Sequence, residues 1–94
     1  MRFEWDAAKA ASNAAKHGVT FEEATEVFAA GVVVMELVDD KHGEQRFLRV
    51  GPITRGLVLV VWTERREDVI RIISARFASR GERRLYREYA NGVP

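Results

Sequence analysis

Leu57-Val58-Leu59-Val60-Val61-Trp62-Thr63, Glu64-Arg65-Arg66-Glu67-Asp68 and Val69-Ile70-Arg71-Ile72-Ile73-Ser74-Ala75-Arg76 together decide the fold. The first run is apolar on both faces, which suits a strand inside a sheet. The five charged residues read as a loop. The last run is rich in β-branched residues and reads as the final strand. Pairing Thr63 with Val69 closes an antiparallel hairpin. It sets Val58 opposite Ser74 and Gly56 opposite Arg76. Val58, Val60, Trp62, Ile70, Ile72, Ser74 and Arg76 then share one face. Arg76 leaves the sheet beside Arg55 at the open end. Glu64 falls at the other end, about 25 Å away at 3.3 Å per residue.

Upstream, Arg46 to Val50 alternates and forms another strand, connected through Gly51–Gly56. Asp39 to Gly43 is a turn, and Val32 to Val38 is a strand before it. The N-terminal part has a different period. Phe3 and Trp5 share one face of a short strand over residues 2–5. Asp6 suits the N-cap of an Ala-rich helix reaching Lys16, and Gly18 suits its left-handed stop. Thr20 and Glu23 fit a capping box that opens a second helix reaching Ala30. Ser79 and Glu82 fit another, opening a last helix with Leu85, Tyr86 and Tyr89 facing inward. The expected fold is one α+β domain over residues 1–94. It has a short strand and two helices, then an antiparallel meander and a C-terminal helix.

Charge is unevenly spread. Residues 1–45 carry four basic and nine acidic side chains, whereas residues 46–94 carry eleven basic and five acidic ones. All eleven of those bases are arginines, whose planar forks match phosphate oxygens two at a time. A phosphate-bearing polymer or an acidic protein is the partner this predicts. There is no cysteine, so neither disulfides nor thiolate metal sites are possible. The acidic residues that interrupt the first six positions do not suit a signal peptide, and no apolar run is long enough for a membrane span. A cytoplasmic protein with no membrane partner is expected.

Several blocks carry a family resemblance. They are Phe3-Glu4-Trp5-Asp6, Asn13, Lys16-His17-Gly18-Val19 and Phe21-Glu22-Glu23-Ala24 in the first half. In the second half they are Arg46, the Gly56 hairpin, Thr63-Glu64-Arg65, Ile70–Arg76 and Glu82-Arg83-Arg84-Leu85-Tyr86. In this order the chain resembles the BrnT toxins. The resemblance implies a RelE-like fold and a ribonuclease toxin of a type II toxin–antitoxin pair that inhibits translation. It also implies a BrnA-like antitoxin, joined to the toxin above 1:1, with operator DNA met only through the complex. Paired arginines spaced like Arg55 and Arg76 are part of that resemblance, as is a C-terminal aromatic that stacks on bases. Leu48-Arg49 departs from the commonest pattern by adding a charge.

Metal-free RNA cleavage needs a base for the 2′-hydroxyl, cations for the phosphate and an acid for the leaving oxygen. The nucleophile belongs to the RNA, so no cofactor or metal is expected. Arg55 and Arg76 are the candidates to hold the phosphate. Two arginines brought together without nearby acids repel, so an anion between them is favourable. Arg46 would position RNA, or pair with Glu44. His17 would move the proton, or cap carbonyls at a helix C-terminus. Lys16, Arg49, Arg80, Arg83 and Tyr86 are the candidate RNA contacts. The plainer reading of Lys16, Arg83, Arg84 and Arg87 is a solvated helix face, and that of Tyr86 is core. Asp39, Asp40 and His42 carry ligand-type atoms, but acidic turns are commonplace. A non-catalytic module that binds RNA or antitoxin is the alternative. A DNA reader fits less well, because the early helices are acidic.

Overall fold

The computed structural model describes residues 1–40 and 43–92. In chain order the elements are β1 (Arg2–Glu4), α1 (Ala7–His17) and α2 (Phe21–Ala24), which tightens into a 3-10 turn over Thr25–Phe28. Then come β2 (Met35–Asp39), β3 (Arg46–Ile53), β4 (Gly56–Arg66), β5 (Val69–Phe77) and α3 (Arg80–Ala90). The sheet order is β1-β5-β4-β3-β2. Strands β2 to β5 form the antiparallel meander, and β1 joins β5 in parallel. The α+β architecture read from the sequence is present.

Local chemistry sets the helix ends as expected. The Asp6 carboxylate accepts the Lys9 N–H at 2.9 Å, and Gly18 ends α1 at φ 71°. Both capping boxes form, Thr20 with Glu23 and Ser79 with Glu82. The second helix is shorter than the sequence suggests. Its 3-10 turn drops Val27 and Phe28 into the core over β3. Gly51 makes that approach possible, since a Cβ there would stand 2.9 Å from Val34 Cγ1 and 3.3 Å from Val27 Cβ. The following strand starts at Met35, not Val32, because Val34 turns inward against Gly51 and the Val33 carbonyl accepts the Tyr86 hydroxyl at 2.7 Å.

The hairpin differs from its expected register. Strands run through most of the charged segment, leaving a two-residue turn, Glu67-Asp68, with Asp68 at φ 70°. Aspartate tolerates this left-handed conformation better than most residues. Arg76 lies opposite Leu59, not Gly56, and Ser74 lies opposite Val61. The pairing steps from Val61–Ser74 to Trp62–Ile72, so Ile73 is an extra residue in β5. A bulge of this kind reverses which residues face the core beyond it. Ile72 keeps its place, Ala75 takes the next core position, and Ser74 and Arg76 turn to the opposite face.

Two unequal layers cover the sheet. Val19, Phe21, Ala24, Val27 and Phe28 pack on Val58, Val60, Ile70, Ile72 and Ala75, giving the main core. Each of the Val, Ile and Phe side chains stabilises by about 1.5–3 kcal/mol when fully buried. Trp5 and Trp62 flank this core. The other face carries Val50, Leu59 and Ala78 beneath α3, with Tyr86 packed against them. Leu85 and Tyr89 do not face inward; both are exposed. A helix laid across a sheet buries one narrow stripe, and in α3 only Glu82 and Tyr86 occupy it.

Candidate functional site

Thr54 and Arg55 form the two-residue turn between β3 and β4, since Ile53 pairs with Gly56. Two glutamates from the helical layer grip this tip. Glu26 Oε1 accepts the Thr54 N–H at 2.7 Å and its hydroxyl at 3.0 Å. Glu23 accepts Arg55 Nε at 2.6 Å and Nη2 at 2.9 Å. Arg55 Nη2 also donates to the Gly18 carbonyl at 2.5 Å, beside His17. The guanidinium lies over the Phe77 ring, 5.3 Å from its centroid, within cation–π range.

Arg76 comes from the opposite face of the sheet. Its Nη1 and Nη2 donate to the two Glu82 oxygens, each at 2.9 Å. Nη1 also donates to the Phe77 carbonyl at 3.2 Å. Phe77 therefore touches both arginines, one through its ring and one through its backbone. Each arginine has its own carboxylate, so the expected repulsion between unpaired guanidiniums is absent. The Arg55 hydrogen bond, then the Thr20 N–H, hold the Glu23 carboxyl down from 4.5 to about 2. Arg76, then the Ser79 N–H, do the same for Glu82, against burial, again to about 2. Both carboxylates stay ionised at neutral pH. The Arg55 and Arg76 side chains remain 50% and 40% exposed.

A groove of about 220 Å³ runs between α1 and β5. Lys9, Ser12, Asn13, Lys16, His17, Ile73 and Ser74 line it. It opens at the β5 bulge, where neither β1 nor Asn13 covers the strand edge. Asn13 closes the edge further on. Its Nδ2 donates to the carbonyls of Ala75 (2.7 Å) and Val19 (3.0 Å), and its Oδ1 accepts the Ala75 N–H at 3.1 Å. Lys9, Lys16 and His17 have no carboxylate partner among the described residues.

The remaining predicted residues are dispersed. Arg46 starts β3 with its Nε 3.6 Å from Glu44, the plainer of its two readings. Arg49 lies on the main-core face between the rings of Phe28 and Trp62, its guanidinium 4.3 and 5.2 Å from their centroids. Glu36 accepts from it at 2.6 and 3.0 Å and takes Trp62 Nε1 at 2.8 Å. The extra charge in β3 is thus absorbed by an aromatic sandwich. Tyr86 is anchored through its hydroxyl. Arg80 and Arg83 stand on the exposed side of α3. His42 lies outside the described residues. Sequence reasoning missed Phe77, and it used Glu23 and Glu82 only as helix caps.

The charge asymmetry has a structural meaning. First-half glutamates neutralise many second-half arginines. Glu4 takes Arg65, Arg66 and Arg71, Glu23 takes Arg55, and Glu36 takes Arg49. Arg80, Arg83, Arg84 and Arg87 of α3 have no acidic partner among the described residues. The same helix also carries Glu82 and Glu88, and Arg65, Arg66 and Arg71 share the single Glu4 carboxylate.

Comparison with known proteins agrees with this architecture. The crystal structure of the Brucella abortus ribonuclease toxin BrnT superposes with a TM-score of 0.65 at 26% identity, covering 85% of this chain and 99% of that one. No curated protein is similar enough to count as a relative. The family model for the ribonuclease toxin BrnT of type II toxin–antitoxin systems matches residues 5–82. The chain that builds this arginine site belongs to the BrnT family of ribonuclease toxins.

Proposed function

We propose that this chain is a metal-independent endoribonuclease that inhibits translation in the cytoplasm, neutralised by a BrnA-like antitoxin. The observation that supports it best is that two part-exposed arginines both touch Phe77, Arg55 over its ring and Arg76 at its backbone carbonyl. A phosphodiester held at either arginine would accept from its guanidinium N–H groups. As the RNA 2′-hydroxyl attacks, charge builds on the phosphate oxygens, and fixed cations stabilise that state more than the ground state. His17, at the C-terminal end of α1, is the candidate for proton transfer. Lys9 and Lys16 would hold the flanking backbone, and Arg80 and Arg83 would extend the track over α3. Operator DNA would be met only through the antitoxin, in a complex above 1:1.

The test is incubation of antitoxin-free protein with total RNA in excess EDTA, with the cut ends mapped. Cyclic or 3′-phosphate ends that disappear in Arg76→Ala are expected. One observation favours a second reading, a module that binds without turnover. No carboxylate pairs with His17 among the described residues, and both arginines already hold glutamates. A folded protein that yields no cut ends, with or without ribosomes, would establish that reading instead.

A further inference from the structure

A guanidinium donates along two edges, each of which matches a pair of oxygens. The terminal edge joins Nη1 and Nη2, and the side edge joins Nε and Nη2. The two site arginines use these edges differently. Glu23 takes the side edge of Arg55, at Nε and Nη2, and the Gly18 carbonyl accepts from Nη2 as well. Only Nη1 of Arg55 then lacks a partner among the described residues. Glu82 takes the terminal edge of Arg76, one oxygen on Nη1 and the other on Nη2. The Phe77 carbonyl also accepts from Nη1. The side edge of Arg76 is left whole, since Nε–H and one Nη2–H have no partner among the described residues. Of the described side-chain nitrogens and oxygens, only Arg46 Nε is both buried and unbonded, so Arg76 Nε is open to solvent.

The joint between β5 and α3 fixes this arrangement. Ala78, between the two residues, is buried, and its N–H donates to the Leu57 carbonyl at 2.9 Å. Glu82 is held at the start of α3, where it accepts the Ser79 N–H at 2.8 Å. With the joint fixed, the carboxylate sets the plane of the Arg76 guanidinium before a ligand arrives. Side-chain rotation frozen in advance is not lost on binding. The ion pair is neutral as a whole, so it draws an anion from a distance only weakly. What it provides is direction. We propose that Glu82 is a positioning residue for RNA cleavage: it holds Arg76 by the terminal edge so that the side edge meets two oxygens of the phosphodiester. This rests on the reading above that Arg76 binds the phosphate. Those oxygens gain charge as the 2′-hydroxyl attacks, so a fixed fork stabilises the transition state more than the ground state. Arg55, with Nη1 alone to offer, makes a one-point contact.

The test is steady-state cleavage of a defined RNA by the full chain, free of antitoxin, with kcat and KM measured separately. Glu82→Gln keeps the helix cap, since glutamine serves at that position of a capping box. Ser79→Ala weakens the same helix start but leaves Glu82 on Arg76. Thermal unfolding sets an assay temperature at which every variant is folded. A fall of about tenfold or more in kcat for Glu82→Gln, with KM no higher than wild type and kcat unchanged in Ser79→Ala, is expected. An unchanged kcat in Glu82→Gln overturns the role, and so does a rise, which would make Glu82 a mask over Arg76. An equal fall in Ser79→Ala also overturns it, by assigning the effect to the helix start. A second readout needs no variant of Glu82. The Arg76 Nε–H resonance of wild type, identified by its absence in Arg76→Lys, is followed as an uncleavable 2′-O-methyl RNA is added. A shift with slowed exchange is expected, and an unmoved resonance overturns the role. Full cleavage by Arg76→Ala overturns the reading on which the role rests, whatever Glu82→Gln does.

Discussion

Asn13 and Ala75, 62 residues apart, bond as neighbouring strands do. The Asn13 carboxamide donates to the Ala75 carbonyl and accepts its N–H. One side chain from α1 thus replaces a sixth strand over the part of β5 that β1 is too short to reach. Asn13→Ala would leave the Ala75 N–H and two buried carbonyls without partners. Each unpaired buried group costs about 1–3 kcal/mol, part of which a water can recover. The expected loss is about 2–4 kcal/mol in urea unfolding. A loss below 1 kcal/mol would show that the strand edge does not need this cover.

Glu82 predicts an acid-sensitive step. Its folded value of about 2 lies below the ordinary 4.5. Its contribution is therefore complete above pH 4.5 and is lost as pH falls toward 2. Arg76 is 40% exposed, so solvent screening limits the contribution to about 1 kcal/mol. Glu82→Gln should be less stable than wild type by that amount at pH 7, and the gap should close between pH 4.5 and 2. A gap that stays constant with pH would mean that the pair does not stabilise the fold.

Arg55 and Arg76 are expected to act together on RNA. Replacing either by alanine should lower cleavage by about a hundredfold or more, the usual cost of losing one transition-state donor. Arg76→Lys should rescue little, because ammonium cannot reproduce the two-point fork. Single-turnover cleavage of a defined RNA measures both. Full activity in Arg55→Ala/Arg76→Ala would remove the pair from the mechanism.

Gly51 is expected to tolerate no side chain. Gly51→Ala would push Val34 and Val27 outward, an overpacking cost of about 1–3 kcal/mol. Thermal unfolding gives the result directly. An unchanged midpoint would show that the 3-10 turn moves away from β3 freely.

Much of the architecture was legible because it rests on local rules. Asp6, Gly18, Thr20 with Glu23 and Ser79 with Glu82 act within one helical turn, and each works as its spacing implies. The β-hairpin was legible as a pair of strands but not in register. A bulge at Ile73 has no sequence signature, since isoleucine fits either face of a buried strand. The site was partly legible for the same reason. Arg55 was visible through its hairpin turn, but its partners Glu23 and Phe77 are 32 and 22 residues away, and only the folded sheet brings them close. Leu85 and Tyr89 follow a helical period that implies burial. Periodicity shows which side of a helix is apolar, not whether the same molecule covers it.

The two capping boxes carry a constraint on how this protein can evolve. Glu23 begins a helix and holds Arg55; Glu82 begins another and holds Arg76. Replacing either glutamate by a residue without a side-chain acceptor would free an arginine and remove a helix cap by the same change. On the mechanism proposed above, a change of activity that spares both helix starts comes from the arginines themselves, from Phe77 or from the α1 groove.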